Sequence, residues 1–100
     1  MIYKIEIKAN PPNNAVDVYI NGHQLDPKDS QKIRNHSPDG FNCGYHGSGP
    51  AQCALGILLY VLTRRLAQML YQDFKNAHVS TWEVGKTYHI DIEEWVAINL

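Results

Sequence analysis

The sequence has no excess of charge of either sign: nine Lys and Arg residues oppose ten Asp and Glu residues, for a formal net charge of -1. Such a balance gives no overall positive field to attract phosphate groups, so non-specific nucleic-acid binding is not expected. The longest nearly continuous apolar run, Cys53 to Leu62, is about half of the ~20 residues that a membrane-spanning helix requires. The composition therefore favours neither a nucleic acid nor a membrane as partner.

The first residues do not match a secretory signal, and the sequence has two cysteines. Met1 precedes an alternating segment rather than the basic and apolar regions of a secretory signal, so a cytoplasmic location is expected. The cysteines are Cys43 and Cys53, for which we expect reduced, buried thiols. A disulfide stays open as the alternative, because spacing in sequence does not establish the Cα separation that it requires.

Enough apolar residues are present for one core, since 44% of the 100 residues are hydrophobic. The first quarter of the chain alternates apolar and polar residues, which is typical of strands with one buried face. Asn21-Gly22 predicts a tight hairpin, because both residues tolerate positive φ. Prolines and asparagines at 10–14 predict a turn. The predicted strands are Ile2 to Lys8, Ala15 to Ile20 and His23 to Leu25.

The segment that follows is harder to interpret, since Lys28 to Asn35 fits either a helical turn or an edge strand. We favour a short strand at Lys32 to Asn35, because a type I turn beginning at Ser37 follows directly. The chain would then return as a strand at Phe41 to Tyr45, with alternate side chains buried.

Glycines at 44, 47 and 49 predict a shaped loop leading into a helix. Gly49 is the expected N-cap, with Pro50 as the first helical residue and Gln52 reaching back to the cap. An amphipathic pattern then continues to about Lys75. One straight helix of that length would be about 39 Å long, longer than the diameter expected for so small a domain, so a break or bend near Thr63 is the alternative to one long helix, and Thr63 could cap a second helix.

The C-terminal quarter predicts three elements. Val79 to Val84 fits a short strand or an extended segment, and a strand at Thr87 to Ile90 follows a turn at Gly85-Lys86. Asp91 is a good N-cap with Glu94 three residues later, so a short helix should follow. We expect Trp95, Val96 and Ile98 to complete the core. The predicted fold is one α+β domain over residues 1–100, with a small antiparallel sheet of about four or five strands packed on a long or bent central helix, and a short C-terminal helix.

The central stretch resembles the signature of a family of small uncharacterised bacterial, archaeal and phage proteins, written PDGFxxGYxGSGPAQxAL. The matching blocks are the HSPDGF turn at His36 to Phe41 and the glycine-rich block at Gly44 to Gln52. Weaker matches are Tyr19 to Gly22 and Tyr71 to Lys75, so that the resemblance extends from about Val18 to Trp95. The sequence departs from the signature at position 43, where Trp is expected, and at position 46, where a small residue is expected.

What the resemblance implies is a shared α+β fold and an association with mobile elements and their hosts; it implies no reaction. By analogy, small phage proteins often act by covering a site on a host protein, and inhibitors of CRISPR defence are among them. The resemblance thus favours a non-enzymatic interaction protein with a host protein as partner. A homodimer stays open, because exposed strand edges or apolar helix surface could form one.

A metal site is one alternative, built from His36, Cys43, His46 and Cys53, because thiolates and imidazoles are the ligands that tetrahedral zinc prefers. Their spacing matches no recognised zinc motif, so packed thiols and solvated histidines are favoured and no cofactor is predicted.

A ligand-binding or enzymatic role for the Gly44 to Gly49 loop is the other alternative. Free N–H groups and the helix dipole could attract an anion there, although the phosphate-binding GxxxxGK[ST] motif is absent. Ser48 lacks the G-x-S-x-G context of a catalytic nucleophile. We therefore lean against an enzyme. The surface predicted to meet a ligand or partner comprises Tyr45, His46, Ser48, Gln52, Arg64 and Arg65.

Overall fold

A four-stranded antiparallel sheet forms one layer of the molecule, with the strand order β3-β2-β1-β4. The strands are β1 at Ile2–Ala9, β2 at Val16–Ile20, β3 at His23–Gln24 and β4 at Thr87–Asp91. The computed structural model describes residues 1–11 and 13–100, so Pro12 of the predicted turn at 10–14 lies outside the described residues. The helices are α1 at Pro27–Gln31, α2 at Ser48–Val61, α3 at Arg64–Ala77 and α4 at Ile92–Asn99, with a 3₁₀ helix at Val79–Thr81 between α3 and β4.

The first two strands form as their alternating pattern predicts. Ile7 lies opposite Val18 across the antiparallel pair, and both are buried. Between β2 and β3, Asn21 and Gly22 have φ values of 48° and 82°, as a two-residue hairpin with positive φ requires. The predicted hairpin is therefore confirmed.

The central helix is bent, which confirms the predicted break. Thr63 has an extended backbone, and its Oγ1 accepts a hydrogen bond from the Leu66 N–H at 3.3 Å, so it is the N-cap of α3. The break lets α2 and α3 fold back on each other as a helical hairpin, and the buried residues of both join the inner face of the sheet in one core. The predicted α+β class is confirmed.

Two predicted strands are wrong. The segment before Lys32 is helical instead, because Asp26 caps α1 by accepting from the Lys28 N–H at 2.9 Å and Pro27 supplies the preset φ of a first helical residue. The predicted strand at Lys32 to Asn35 therefore does not form.

The predicted strand at Phe41 to Tyr45 is reduced to one bridge between Phe41 and Val16. Beyond that bridge the main chain bonds to other segments, since the Asn42 N–H donates to the Gly49 carbonyl at 3.2 Å and the Gly44 N–H to the Val79 carbonyl at 3.0 Å. The Asn42 side chain adds two bonds: its Oδ1 accepts from the Cys43 N–H at 3.0 Å, and its Nδ2 donates to the Asn14 carbonyl at 2.6 Å. Tyr45 consequently leaves the buried face and is 47% exposed.

The start of α2 and the end of the chain also differ from prediction. The N-cap is Gly47 and α2 begins at Ser48, so the predicted start at Pro50 was two residues late. Residues 79–81 form a 3₁₀ helix rather than a strand. The Asp91 cap is confirmed, since its Oδ1 accepts from the Glu94 N–H at 3.1 Å. Ile98 is 74% exposed, so the prediction that it completes the core is wrong.

Candidate functional site

Gln52 lies in the interior of the protein, not on the predicted surface. Its Oε1 accepts hydrogen bonds from the N–H groups of His36 at 2.7 Å and Ser37 at 3.0 Å. Its Nε2 donates to Ser30 Oγ at 2.9 Å and to the Arg34 carbonyl at 3.0 Å. Gln52 has no exposed area, and both ends of its amide are engaged, so it cannot contact a partner.

Hydrogen bonds also fix the HSPDGF segment, residues 36–41. The Gly40 N–H donates to the Ser37 carbonyl at 3.2 Å, which confirms the predicted turn. His36 Nε2 and the Tyr71 hydroxyl form a hydrogen bond of 2.7 Å, which attaches the turn to α3. The turn therefore connects the loop before α2 with both helices of the hairpin.

The glycine-rich block allows close packing at the start of α2. A Cβ at position 49 would lie 2.6 Å from the Cβ of Asn42 and 2.9 Å from the hydroxyl of Tyr45, which is closer than real Cβ contacts come. Glycine at that position therefore lets Asn42 and Tyr45 pack against the first turn of the helix. Close packing therefore explains the glycine at position 49 without a bound ligand.

The four potential metal ligands are not brought together. Cys43 and Cys53 are free, buried thiols, as predicted, and burial raises the pKa of both. His36 pairs with Tyr71, whereas His46 Nδ1 lies 3.3 Å from Asn76 Oδ1 on the surface. Within residues 1–11 and 13–100, no group of three or more His, Cys, Asp or Glu residues is arranged to hold a metal ion.

The other predicted surface residues fall into two separate places. The bond between His46 and Asn76 places the loop beside the C-terminal end of α3, together with Tyr45 and Ser48. Arg64 and Arg65 begin α3 at its opposite end. Twelve residues of helix separate Arg64 from Asn76, which is about 18 Å at 1.5 Å per residue. The loop residues and the arginine pair therefore do not form one compact contact surface.

The two arginines occupy an electrostatically unfavourable position. They are the first two residues of α3, whose first turn contains no acidic residue. In the part of the chain that the structure describes, neither arginine forms an ion pair with a carboxylate. The positive end of the helix dipole adds to their own charge, since cations near a helix N-terminus are disfavoured. The corner between the helices is thus a concentrated positive site on a nearly neutral protein.

Two exposed apolar side chains lie on the helices that meet at this corner, and one of them, Met69, lines a shallow surface depression with both arginines. Met69 is 59% exposed on α3, and Tyr60 is 48% exposed near the end of α2. Tyr60 stacks on His23, with ring centroids 5.0 Å apart, beside a cleft of about 270 Å³ that also contains Asp26 and Asp29. We call the set of Tyr60, Arg64, Arg65 and Met69 the hairpin corner.

Sequence reasoning missed Tyr60 and Met69 as surface residues. Met69 is one of the apolar residues of the amphipathic pattern that continues to about Lys75. Tyr60 lies in the apolar run before Thr63. The break at Thr63 starts a new helix, so positions on its two sides no longer share one face. The exposure of both side chains is visible only in the folded chain.

These features describe a small α+β domain whose glycine-rich motif supports packing and whose most distinctive free surface is a basic corner. The model of a family of unknown function (DUF6166) matches residues 9–98, so the chain belongs to that family. No curated protein and no solved structure matches the chain. Among the described residues, no helix is both long enough and apolar enough to cross a membrane.

Proposed function

We propose that this protein is a non-enzymatic interaction protein that binds an acidic surface of another protein through the hairpin corner. One observation carries the proposal: Arg64 and Arg65 occupy the positive end of α3 with no carboxylate of the described chain paired to them. This arrangement lowers stability, and departures from local stability rules are expected mainly at functional sites. An acidic partner would supply the missing negative charge.

The residue types of the hairpin corner suit protein recognition. Tyr and Arg dominate the energetically important positions of interfaces, and Met is enriched there as well. The stacking of Tyr60 on His23 restricts the tyrosine before binding, which lowers the entropy lost when a partner arrives. Met69 is exposed and unbranched, so it can adapt to the shape of a partner.

The finer proposal concerns the kind of partner. The resemblance of the central block to phage and mobile-element proteins supports a host protein assembly as the target, which the protein would inhibit by covering a contact site. An anti-CRISPR or other anti-defence factor is the proposed type. The support for this step is analogy, since function does not follow from fold or family alone.

The alternative, a small-molecule, anion or enzymatic site at the Gly44 to Gly49 loop, has less support. Gln52 is enclosed, and Tyr45 packs toward Gly49 at the start of α2. These residues are used by the fold itself, so the loop offers few free groups with which to recognise a ligand.

The test is recovery of a partner from host lysate on immobilised protein, with the wild type compared with the double variant Arg64→Glu/Arg65→Glu. The matched control is Lys8→Glu/Lys86→Glu, which makes the same change of charge at exposed positions on β1 and just before β4. We expect wild type and control to retain the same stoichiometric protein, and the arginine variant to bind it at least about tenfold more weakly, as loss of charge-assisted contacts would produce.

Two outcomes would overturn the proposal. One is equal retention of the partner by the arginine variant and the wild type. The other is a retained species that disappears after nuclease treatment, which would identify nucleic acid rather than an acidic protein as the ligand of the corner.

A further inference from the structure

Strand β4 forms one edge of the sheet, and among the described residues it pairs only with β1. The Ile7 N–H donates to the Lys86 carbonyl at 3.1 Å, which fixes which residues exchange main-chain hydrogen bonds between the two strands. Hydrogen-bonded and non-hydrogen-bonded pairs alternate in antiparallel sheets. Tyr88 and Ile90 therefore bond to β1, whereas Thr87 and His89 direct their main-chain N–H and C=O groups outward.

The outward edge of β4 is open. Thr87 and His89 are exposed, and outside the β1–β4 ladder no hydrogen bond of the described residues uses their main-chain groups. An unpaired strand edge of this kind can accept another strand. The strand is five residues long, Thr87 to Asp91, and His89 lies at its centre.

We propose that the edge of β4 pairs with β4 of a second copy of this chain, antiparallel and centred on His89. The two four-stranded sheets would then continue as one sheet of about eight strands, within the usual range of sheet sizes. The symmetry is two-fold, so each copy presents the same edge to the other.

The sequence of β4 is complementary to itself in this register. Tyr88 of each copy lies opposite Ile90 of the other, and pairs of an aromatic and a β-branched residue stabilise antiparallel sheets. On the other face, Thr87 lies opposite Asp91 of the second copy, where a hydroxyl can donate to a carboxylate. No two carboxylates and no two Lys or Arg side chains face each other in this register, and the central residue His89 lies opposite its own copy. A second copy therefore fits this edge better than an arbitrary extended peptide.

The hairpin corner and the β4 edge are separate features, so this inference does not depend on the proposed function. A five-residue edge buries less area than the ~1,200–2,000 Å² of a stable interface. We therefore expect a weak dimer whose population rises with protein concentration.

The test is sedimentation equilibrium over a wide range of protein concentration, with wild type and His89→Pro. Proline removes the outward N–H at the centre of the edge, and because that N–H takes no part in the β1–β4 ladder, the substitution should preserve the fold. The matched control is His89→Thr, which keeps the N–H and favours a strand. We expect wild type and the threonine variant to dimerise and the proline variant to dimerise at least about tenfold more weakly.

Wild-type protein that stays monomeric at the highest concentration would overturn the inference, and so would a folded proline variant that dimerises as tightly as wild type. If the proline variant does not fold, hydrogen exchange of the wild type decides. The Thr87 and His89 amides should exchange more slowly as concentration rises, and an exchange rate independent of concentration contradicts pairing at this edge.

Discussion

The side-chain oxygen of Gln52 accepts a hydrogen bond of 2.7 Å from the main-chain N–H of His36, which lies 16 residues earlier in the sequence. The same oxygen accepts from Ser37, and the amide nitrogen donates to Ser30 and Arg34. One side chain on α2 therefore satisfies two main-chain donors, one main-chain acceptor and one hydroxyl of the segment before it. Within residues 1–11 and 13–100 this segment pairs with no strand, so the hydrogen bonds of Gln52 take the place of sheet pairing.

Replacing Gln52 with leucine should destabilise the protein strongly. The substitution keeps the volume of the side chain approximately, but it leaves the His36 and Ser37 N–H groups without their acceptor. Each unsatisfied buried group costs about 1–3 kcal/mol, so we expect a loss of roughly 2–4 kcal/mol in the free energy of unfolding. Urea denaturation measures it. The control is Gln72→Leu on the exposed face of α3, for which a change within about 0.5 kcal/mol is expected. Equal losses in the two variants would contradict this role.

Introducing a methyl group at Gly56 should also destabilise the protein. A Cβ there would lie 2.8 Å from the Phe41 ring, which is buried and has little freedom to move. Overpacking of this kind costs about 1–3 kcal/mol, whereas the higher helix propensity of alanine returns up to about 1 kcal/mol. We expect Gly56→Ala to lower the free energy of unfolding by about 1 kcal/mol.

A double variant isolates the cause of that loss. In a Phe41→Leu background the space beside position 56 is larger, so Gly56→Ala should cost less than it does in the wild type. The measurement is a double-mutant cycle by urea denaturation. Strictly additive effects would show that the Phe41 ring is not the obstacle.

Reversing the charge of the hairpin corner should stabilise the protein in the absence of its partner. Arg64→Glu/Arg65→Glu replaces two cations at the start of α3 with the anions that the helix dipole favours. We expect a gain of about 0.5–1 kcal/mol for each residue at low ionic strength, and a smaller gain at high salt because of screening. Thermal unfolding at two salt concentrations measures it. The stability of the neutral variant Arg64→Gln/Arg65→Gln should lie between those of the wild type and the glutamate variant. A glutamate variant less stable than the wild type would contradict this prediction.

His78 should make stability depend on pH. Its ring packs between Phe74 and Trp95, with centroid distances of 5.0 and 6.1 Å, and burial lowers its pKa. The unfolded chain therefore binds this proton more readily than the folded protein. The stabilising effect is complete above the unfolded pKa of about 6.5 and decreases as pH falls through the lower folded pKa.

The free energy of unfolding, measured by urea denaturation, should therefore decline as pH falls below about 6.5, and His78→Gln should reduce that slope. The control is His46→Gln, which changes an exposed histidine and should leave the slope unchanged. If the free energy of unfolding of the His78 variant changes with pH as steeply as that of the wild type, a group other than His78 causes the pH dependence.

Local signals predicted the elements that depend on neighbours in sequence. The alternation of β1 and β2, the hairpin at Asn21 and the cap at Asp91 each act within a few residues, and all three are confirmed. The break at Thr63 followed from length, because a straight helix would exceed the size of a small domain.

The errors share a different cause. Phe41 to Tyr45 alternates like a strand, but its main chain bonds to Gly49 and Val79, and the side chain of Asn42 bonds to Asn14 and Cys43. α2 begins at Ser48 rather than Pro50, and Gly49 in its first turn packs against Asn42 and Tyr45, which lie outside the helix.

The sequence by itself determined the α+β class, the two N-terminal strands and the balance of charge, since periodicity and composition are properties of the chain alone, and it left the central helix either long or bent. Only the tertiary structure decided that Gln52 is enclosed and that the predicted contact residues separate into two ends of a hairpin. It also decided that Tyr60 and Met69 stand exposed beside Arg64 and Arg65. The physical reason is that burial and pairing depend on groups far apart in sequence, which meet only when the helices fold back on the sheet.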